Sequence, residues 1–181
     1  MPALLKGLGR GALAGAAGTT ALNATTYLDM YLRGRAASDV PSQLVEKLAH
    51  DLGRDIPGRG EERDNRYEAA GPLSGIAAGV GVGAISGALH ATGLKLPAVI
   101  CAPLMGIAAM AAADLPLFLT GISDPRSWTR KDWVSDFAFH LAYGVVAHAA
   151  LSSMEKHDLA ALKAAKATAA IRADVDAAKA G

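Results

Sequence analysis

The chain has 181 residues, enough for one domain, and 51% of them are apolar although only 5% are aromatic. Much of the apolar content is Ala, with many Gly besides, whereas a soluble core of this size carries more Leu, Ile, Val and Phe. The formal net charge of +1 provides no overall field that would attract nucleic acid. A single cysteine, Cys101, excludes an internal disulfide and a metal cage made of cysteines. The composition therefore favours helices that pack backbone to backbone in lipid.

Four segments are long and apolar enough to cross a bilayer, which takes about 20 residues. They cover approximately residues 11–32, 71–89, 96–122 and 133–154. The first segment begins like a signal peptide, but its Gly and Thr content and its extension to Leu32 favour an uncleaved helix. The sequence therefore predicts an all-α protein with a four-transmembrane-helix bundle in residues 1–154.

The longest connection, residues 33–70, contains a predicted short helix over residues 41–52, with Ser38 or Asp39 as a suitable N-cap. Leucines recur every four residues along this helix and make one apolar edge. That edge fits a helix in the membrane interface, or one packed over the mouth of the bundle. Residues 155–181 are rich in Ala with scattered charges, which predicts a polar helical tail.

Four crossings place the loops after the first and third spans on one side of the membrane, called here the loop side. The opposite side holds both termini and is called the termini side. Lys and Arg are more numerous beside the loop-side span ends, so the positive-inside rule favours a cytoplasmic loop side. Aromatic residues that anchor helices at the interface collect at the same span ends: Tyr27, Tyr31, Tyr67, Trp128 and Trp133.

Glycines in the second span recur at a strict spacing of four and form one nearly straight row: Gly71, Gly75, Gly79, Gly83 and Gly87. The first span repeats the spacing with Gly11 and Gly15. Glycine costs about 1 kcal/mol relative to alanine inside a helix, so the repetition indicates close helix contact. The pattern predicts glycine-zipper packing, either between these two spans or between copies of the chain.

Polar side chains within the spans form a second pattern, because intramembrane ionisable groups are costly and often functional. Asn23 lies near mid-membrane, and Asp29, Asp114, Asp136 and His140 lie in the loop-side half. One interpretation is a polar pocket, in which a carboxylate and an imidazole bind a cation or relay protons. The other is a structural network that fixes helix register, with the outer aspartates beside arginines and lysines at the headgroup level.

Asp114 and His140 lie at similar depths when residues are counted from the span ends, about 12 Å and about 10 Å from the loop side. We therefore expect them to point into the bundle and to meet directly or through Asn23, Tyr143 or a water molecule. Pro116 predicts a kink in the third helix near Asp114, or an early end of that helix.

The sequence predicts no metal site and no cofactor. His140 and His148 are eight residues apart on one helix, about 12 Å along its axis, which is too far for a shared ligand. The other histidines lie at or beyond the span ends: His50, His90 and His157. Cys101 lies in an apolar run and is interpreted as a packing residue. Ser135 and Asp136 are adjacent in sequence but lack the geometry of a catalytic triad.

Two stretches carry a resemblance to a known group. The first is GALAGAAGTT at residues 11–20, followed by Asn23, Tyr27–Met30 and Arg33–Arg35; the second is DPRSW at residues 124–128, followed by Asp132–Trp133 and HLAYG at residues 140–144. Together they resemble an uncharacterised family of small integral membrane proteins from high-GC Gram-positive bacteria. The opening stretch is distantly similar to the YagU type of bacterial inner-membrane protein. The resemblance covers roughly residues 7–151, and implies a multi-span fold in the bacterial inner membrane without assigning an activity.

Two functional hypotheses follow from these patterns. The first is a non-enzymatic integral membrane protein that acts as a packing or accessory subunit, or self-associates through its glycine row. The second is a small transport or permeation protein that uses the Asp/His pocket. The expected partners are the lipid bilayer and a second copy or a larger membrane complex, and nucleic acid is not expected.

Overall fold

The computed structural model describes residues 2–180, with side chains over residues 3–172. That part of the chain is all-helical and contains no strand. Its elements are α1 (Pro2–Arg33), α2 (Val40–Asp51), α3 (Glu61–Ala91), α4 (Ala98–Leu119), a 3₁₀ turn (Pro125–Ser127) and α5 (Arg130–Ala180). Three of these helices, α3, α4 and α5, are long and apolar enough to cross a membrane.

Most helices extend beyond the predicted spans. α1 begins at Pro2 instead of near residue 11, α3 begins at Glu61 instead of near residue 71, and α5 continues unbroken from its span through the tail. The flanking residues are mainly Ala, Leu, Glu, Lys and Arg, which favour helix whether or not they enter lipid. α4 continues past Asp114 and through Pro116 to Leu119, so the predicted early end of this helix does not occur.

The four long helices run alternately up and down. α1 lies between α3 and α5, and α4 packs against α5 and, over a smaller area, α3. The start of α1 meets the end of α3, where Gly7 faces Gly87. The start of α1 also reaches the far part of α5, where Lys6 and Arg10 form ion pairs with Asp158. α1 is therefore antiparallel to both of its neighbours.

α1 and α3 approach each other through glycine backbones. A Cβ atom built on Gly15 would lie 2.5 Å from the Gly79 carbonyl oxygen and 3.0 Å from the Gly83 Cα. A Cβ on Gly83 would lie 2.6 Å from the Gly15 amide nitrogen and would also collide with the backbone of Gly11. Real Cβ atoms do not come this close to backbone atoms, so this helix spacing requires glycine at these positions.

A second glycine contact joins α4 to α5. A Cβ on Gly106 would lie 2.7 Å from the His140 carbonyl oxygen, and one on Gly144 would lie 2.6 Å from the Gly106 amide nitrogen. The largest side chain in the core beside this contact is that of Tyr143, which is 1% exposed and donates a 2.6 Å hydrogen bond to the Gly79 carbonyl oxygen. Tyr143 therefore ties α5 to α3 at the centre of the bundle.

Large apolar side chains lie on the outside of the bundle. Leu13, Leu73 and Val99 are 66%, 64% and 82% exposed, and similar residues cover the outer faces of all four long helices. The interior consists mainly of Gly, Ala and a few larger residues. This is the reverse of a water-soluble helical protein, in which leucines fill the core.

α2 packs across α3 and α4 on the loop side. Ser42 is buried against Gly71, and Glu46 forms an ion pair with Arg63. Asp39 precedes the helix without a capping hydrogen bond, and its carboxylate instead accepts a 3.0 Å bond from the Gln43 side chain. Two leucines of the predicted apolar edge, Leu48 and Leu52, are 45% and 79% exposed, so that edge is turned at least partly away from the bundle.

The connection between α4 and α5 is held by Asp124. Its carboxylate accepts a hydrogen bond from the Arg126 backbone amide at 3.0 Å and further bonds from the Arg126 guanidinium at 2.9 to 3.1 Å. The Arg126 side chain and amide together hold the pKa of Asp124 below its ordinary value of 3.8. This carboxylate therefore stays ionised and keeps the turn closed at neutral pH.

Candidate functional site

The loop side of the bundle contains an open cleft of about 270 Å³ between α1 and α5, called here the polar cleft. Its lining carries three carboxylates and two guanidinium groups alongside two aromatic rings. The lining residues are Asp29, Arg33, Arg35, Trp128, Asp132, Ser135, Asp136 and Phe139. Water and small ions can reach these groups from the loop side, because the cleft opens outward.

Asp29 lies at the mouth of the polar cleft and is satisfied by two arginines. Its carboxylate accepts a 2.6 Å bond from Arg35 and a 3.2 Å bond from Arg33, one turn further along α1. A carboxylate held by two guanidinium groups is an ordinary structural arrangement at a helix end. The two arginines beside Asp29 are the arrangement expected if this carboxylate serves a structural network at the headgroup level.

Asp136 lines the polar cleft, and His140, one turn further along α5, lies deeper in the bundle. His140 is 7% exposed, and its Nδ1 lies 2.9 Å from the Asp136 backbone carbonyl oxygen and 3.3 Å from the carboxylate Oδ1. A carbonyl oxygen only accepts hydrogen bonds, so Nδ1 carries a proton in this arrangement. When the ring is neutral, the other nitrogen, Nε2, is therefore free to accept a proton or a cation.

Asp114 reaches the same cluster from the facing helix α4. Its carboxyl group lies near that of Asp136 and within electrostatic range of His140. One carboxyl oxygen of Asp114 and one of Asp136, both Oδ2, are buried and have no hydrogen-bond partner among the described residues. Two neighbouring carboxyl groups with buried, unpaired oxygens are a natural place for a proton or a cation to bind.

The residue that links Asp114 to His140 is Asp136, for which the sequence left open a place in the polar pocket or one at the headgroup level. Tyr143 is one of the predicted intermediaries, but its hydroxyl is bonded to Gly79 instead. Asn23 is half-buried in α1, and no side-chain hydrogen bond joins it to the described members of the cluster. The structure thus brings together Asp114, Asp136 and His140, with Asp29 at the mouth of the cleft.

The predicted glycine row of α3 divides among three environments. Gly79, Gly83 and Gly87 face α1, whereas Gly71 faces Ser42 of α2. Gly75 is exposed, and a Cβ built there would meet nothing within 4 Å. Glycines spaced four residues apart share one face of a helix, but the spacing does not determine which neighbouring helix packs against each part of that face.

A second group of side chains, which could bind a metal ion, lies on the termini side and was not among the site residues predicted from the sequence. His90, Cys101 and His148 each offer a ligand atom, and these atoms lie within 4.8 Å of one another. Counting residues from the predicted span ends places Cys101 and His148 inside their spans but His90 just beyond the end of its span, so depth alone does not group the three. The sequence also does not reveal which helices are neighbours.

Comparison with protein-family models, with curated proteins and with solved structures gave no match for this chain.

Proposed function

We propose that the chain is a multi-span protein of the bacterial inner membrane in which α1, α3, α4 and α5 all cross the bilayer. The segment Gly11–Leu28 of α1 carries no charged residue. It is less apolar than the other spans because it is rich in Gly, Ala and Thr, but it packs along both α3 and α5. Contact with two neighbouring spans would shield its polar groups from lipid.

The contact between α1 and α3 is proposed to act as a glycine zipper in lipid. Lipid chains are as apolar as leucine side chains, so helices gain little in a membrane from burying leucine. Close backbone approach instead provides dispersion contacts and weak Cα–H hydrogen bonds. The placement of small residues inside and large apolar residues outside supports this interpretation.

The proposed activity is non-enzymatic binding and transfer of protons, or of a small cation, through the cluster of Asp114, Asp136 and His140. The observation that carries this proposal is the position of Asp136. Its side chain lines the open cleft, its Oδ1 lies 3.3 Å from the His140 Nδ1, and its carboxyl group is near that of Asp114. A proton or cation entering the cleft would therefore meet Asp136 first, with the buried Asp114 and His140 behind it.

The chemistry of the three side chains suits this role. Two adjacent carboxyl groups repel each other when both are ionised, so a bound proton or cation relieves the repulsion. The imidazole of His140 exchanges protons in the physiological pH range more readily than any other side chain. This pocket corresponds to the second of the two hypotheses drawn from the sequence.

A flux measurement tests the proposal. Proteoliposomes containing the full chain and an internal pH dye are driven by a valinomycin–potassium potential. The wild-type protein is expected to raise proton flux above that of protein-free liposomes. Asp136→Asn and His140→Ala are expected to reduce that excess at least about tenfold, because each removes a proton-accepting group from the path. Asp114→Asn is expected to act in the same direction.

Glu62→Gln is the matched control, because it removes an exposed carboxylate on the loop side that pairs with Arg66 and does not line the polar cleft. It should leave the flux unchanged. Equal flux from wild-type protein and the Asp136→Asn variant, each confirmed as folded and inserted, would contradict the proposed path.

Self-association is a second candidate function, and Gly75 favours it. This glycine is exposed on α3 beside Leu73 and Ile76, which are also exposed, and no part of the described chain covers it. Glycine destabilises a helix by about 1 kcal/mol relative to alanine, and at Gly75 no contact within the described chain offsets that cost. Close packing against a second copy of the chain would offset it.

Crosslinking in native membranes tests this candidate. Gly75→Leu is expected to abolish a crosslinked oligomer while the protein still inserts as a monomer, since leucine would block close approach. Gly81→Leu serves as the control, because Gly81 also faces open space but lies on another face of α3. An oligomer that survives Gly75→Leu unchanged would exclude this surface.

A further inference from the structure

Three helices bring metal-binding side chains together on the termini side of the bundle. His90 lies in the last turn of α3, Cys101 in the first turn of α4, and His148 in the middle of α5. One ligand atom from each lies within 4.8 Å of the others. His90 and Cys101 are buried, and His148 is half-buried. None of these residues lines the polar cleft, so a ligand held here would be separate from the proposed proton path.

The distances are close to those of a metal centre. The Cys101 Sγ lies 3.8 Å from the His90 Nε2. Tetrahedral zinc, with Zn–N bonds of about 2.0–2.1 Å and a Zn–S bond of about 2.3 Å, separates nitrogen and sulfur ligands by about 3.6 Å. The pair therefore needs a shift of only a few tenths of an ångström. The longest separation within the trio, at most 4.8 Å, needs a contraction of up to about 1.5 Å, which rotation of the side chains would have to provide.

His90 is oriented for coordination. Its Nδ1 lies 3.0 Å from the Ser86 backbone carbonyl oxygen, which can only accept a hydrogen bond. Nδ1 therefore carries the proton, and the lone pair of the neutral ring is on Nε2, the atom that faces Cys101. A carbonyl that fixes the tautomer and orientation of a histidine is the usual outer partner in metal sites.

His148 provides an independent sign of a missing ligand. Its Nδ1 is buried and has no hydrogen-bond partner among the described residues. The other ring nitrogen, Nε2, lies 3.3 Å from the Ser152 hydroxyl, which can accept its proton. An unpaired buried polar atom costs about 1–3 kcal/mol, so native proteins seldom leave one. A metal bond to Nδ1 would satisfy it.

Charge also favours a divalent cation at this position. Glu155 follows His148 by seven residues, or two helical turns on the same face of α5. Its carboxylate also lies 3.5 Å from Lys95 in the connection between α3 and α4, close to His90 and Cys101 in sequence. A thiolate and a carboxylate would together neutralise a divalent ion, which reduces the cost of holding it near lipid.

We infer that His90, Cys101 and His148 form a zinc site that clamps α3, α4 and α5 together, with the Glu155 carboxylate close enough along α5 to help balance the charge of the ion. A thiolate with two imidazoles suits Zn²⁺ and copper, and does not suit Mg²⁺ or Ca²⁺, which prefer oxygen ligands. Zinc is the assignment because the ligands come from three helices and surround the ion, as in tetrahedral sites.

Cobalt substitution tests the site directly in the wild-type protein. The full chain, purified in mild detergent without a histidine tag and stripped with a chelator, is titrated with Co²⁺ and then with Zn²⁺. We expect one Co²⁺ per chain, a thiolate-to-cobalt charge-transfer band in the near ultraviolet, and loss of that band as Zn²⁺ displaces Co²⁺. Absence of the band, or a band that Mg²⁺ removes equally well, would overturn the inference.

Variants then locate the ligands. Cys101→Ser is expected to eliminate the charge-transfer band, and His148→Gln is expected to weaken Zn²⁺ binding by more than the roughly 10–100-fold typical for loss of an outer partner. His157→Gln, which changes an exposed histidine on the same helix, is the matched control and should bind normally. Zn²⁺ affinity that is unchanged in the Cys101→Ser variant would exclude the site.

A second measurement remains informative if a variant does not fold. In the metal-free wild-type protein, Zn²⁺ should slow alkylation of Cys101, the single cysteine, at least about tenfold, because a coordinated thiolate is a poorer nucleophile. Equal alkylation rates with and without Zn²⁺ would contradict coordination. Protection by Cu⁺ but not by Zn²⁺ would overturn the assignment of zinc.

Discussion

Gly83→Ala is expected to lower the free energy of unfolding by about 1–3 kcal/mol, even though alanine is the better helix former. The added methyl group would lie 2.6 Å from the Gly15 amide nitrogen and would also collide with the Gly11 backbone. Backbone atoms cannot rotate aside as a side chain can, so the two helices would have to separate. Titration with SDS in mixed micelles, followed by circular dichroism, measures the change.

Gly81→Ala is the control for this prediction. The position is on the same helix, two residues away, and a Cβ there meets nothing within 4 Å. The substitution is expected to be neutral, or to raise the free energy of unfolding by up to about 1 kcal/mol. If the two variants unfold at the same SDS fraction, the close approach of α1 and α3 described here is wrong.

Tyr143→Ala is expected to have a still larger effect, a loss of about 3–5 kcal/mol, typical of removing a fully buried aromatic side chain. The ring contacts Gly18 of α1 closely enough that a Cβ there would lie 2.7 Å away, and its hydroxyl bonds Gly79 of α3. The substitution therefore opens a cavity where three helices meet. Tyr143→Phe keeps the packing of the ring and removes only the hydroxyl group. It should therefore cost only about 1 kcal/mol, the usual value of one hydrogen bond.

Thermal unfolding in detergent can rank these variants. Tyr31→Ala is the matched control, because Tyr31 is 85% exposed at the loop-side end of α1 and should change the stability by no more than about 0.5 kcal/mol. A Tyr143→Ala variant as stable as Tyr31→Ala would show that the centre of the bundle is not packed as described.

The sequence predicts the helical class, because helix formation depends on local patterns. α2 covers Val40–Asp51, against a predicted range of 41–52. Hydropathy locates the part of a helix that enters lipid but not where the helix ends, which explains the early start of α1 and α3. Pro116 remains within α4, because a proline need not end a long helix that neighbouring elements support.

The polar groups show where sequence reasoning reaches its limit. Counting from the span ends places Asp114 and His140 in the same half of the membrane, and the structure brings both into one cluster with Asp136. Which side chain lies between them depends on helix rotation and crossing angle, and neither is encoded in spacing along one helix. The cluster of His90, Cys101 and His148 was missed for the same reason, since it requires three particular helices to be neighbours.

The placement of small residues inside the bundle and large apolar residues outside restricts which substitutions this protein can tolerate during evolution. Positions such as Gly11, Gly15, Gly83 and Gly106 have no space for a larger atom, so almost any substitution there displaces a whole helix. Outward positions such as Val99 can exchange Leu, Ile, Val and Phe freely, because lipid accommodates each of them. Among descendants of this sequence, the small residues should therefore stay fixed while the large apolar ones drift.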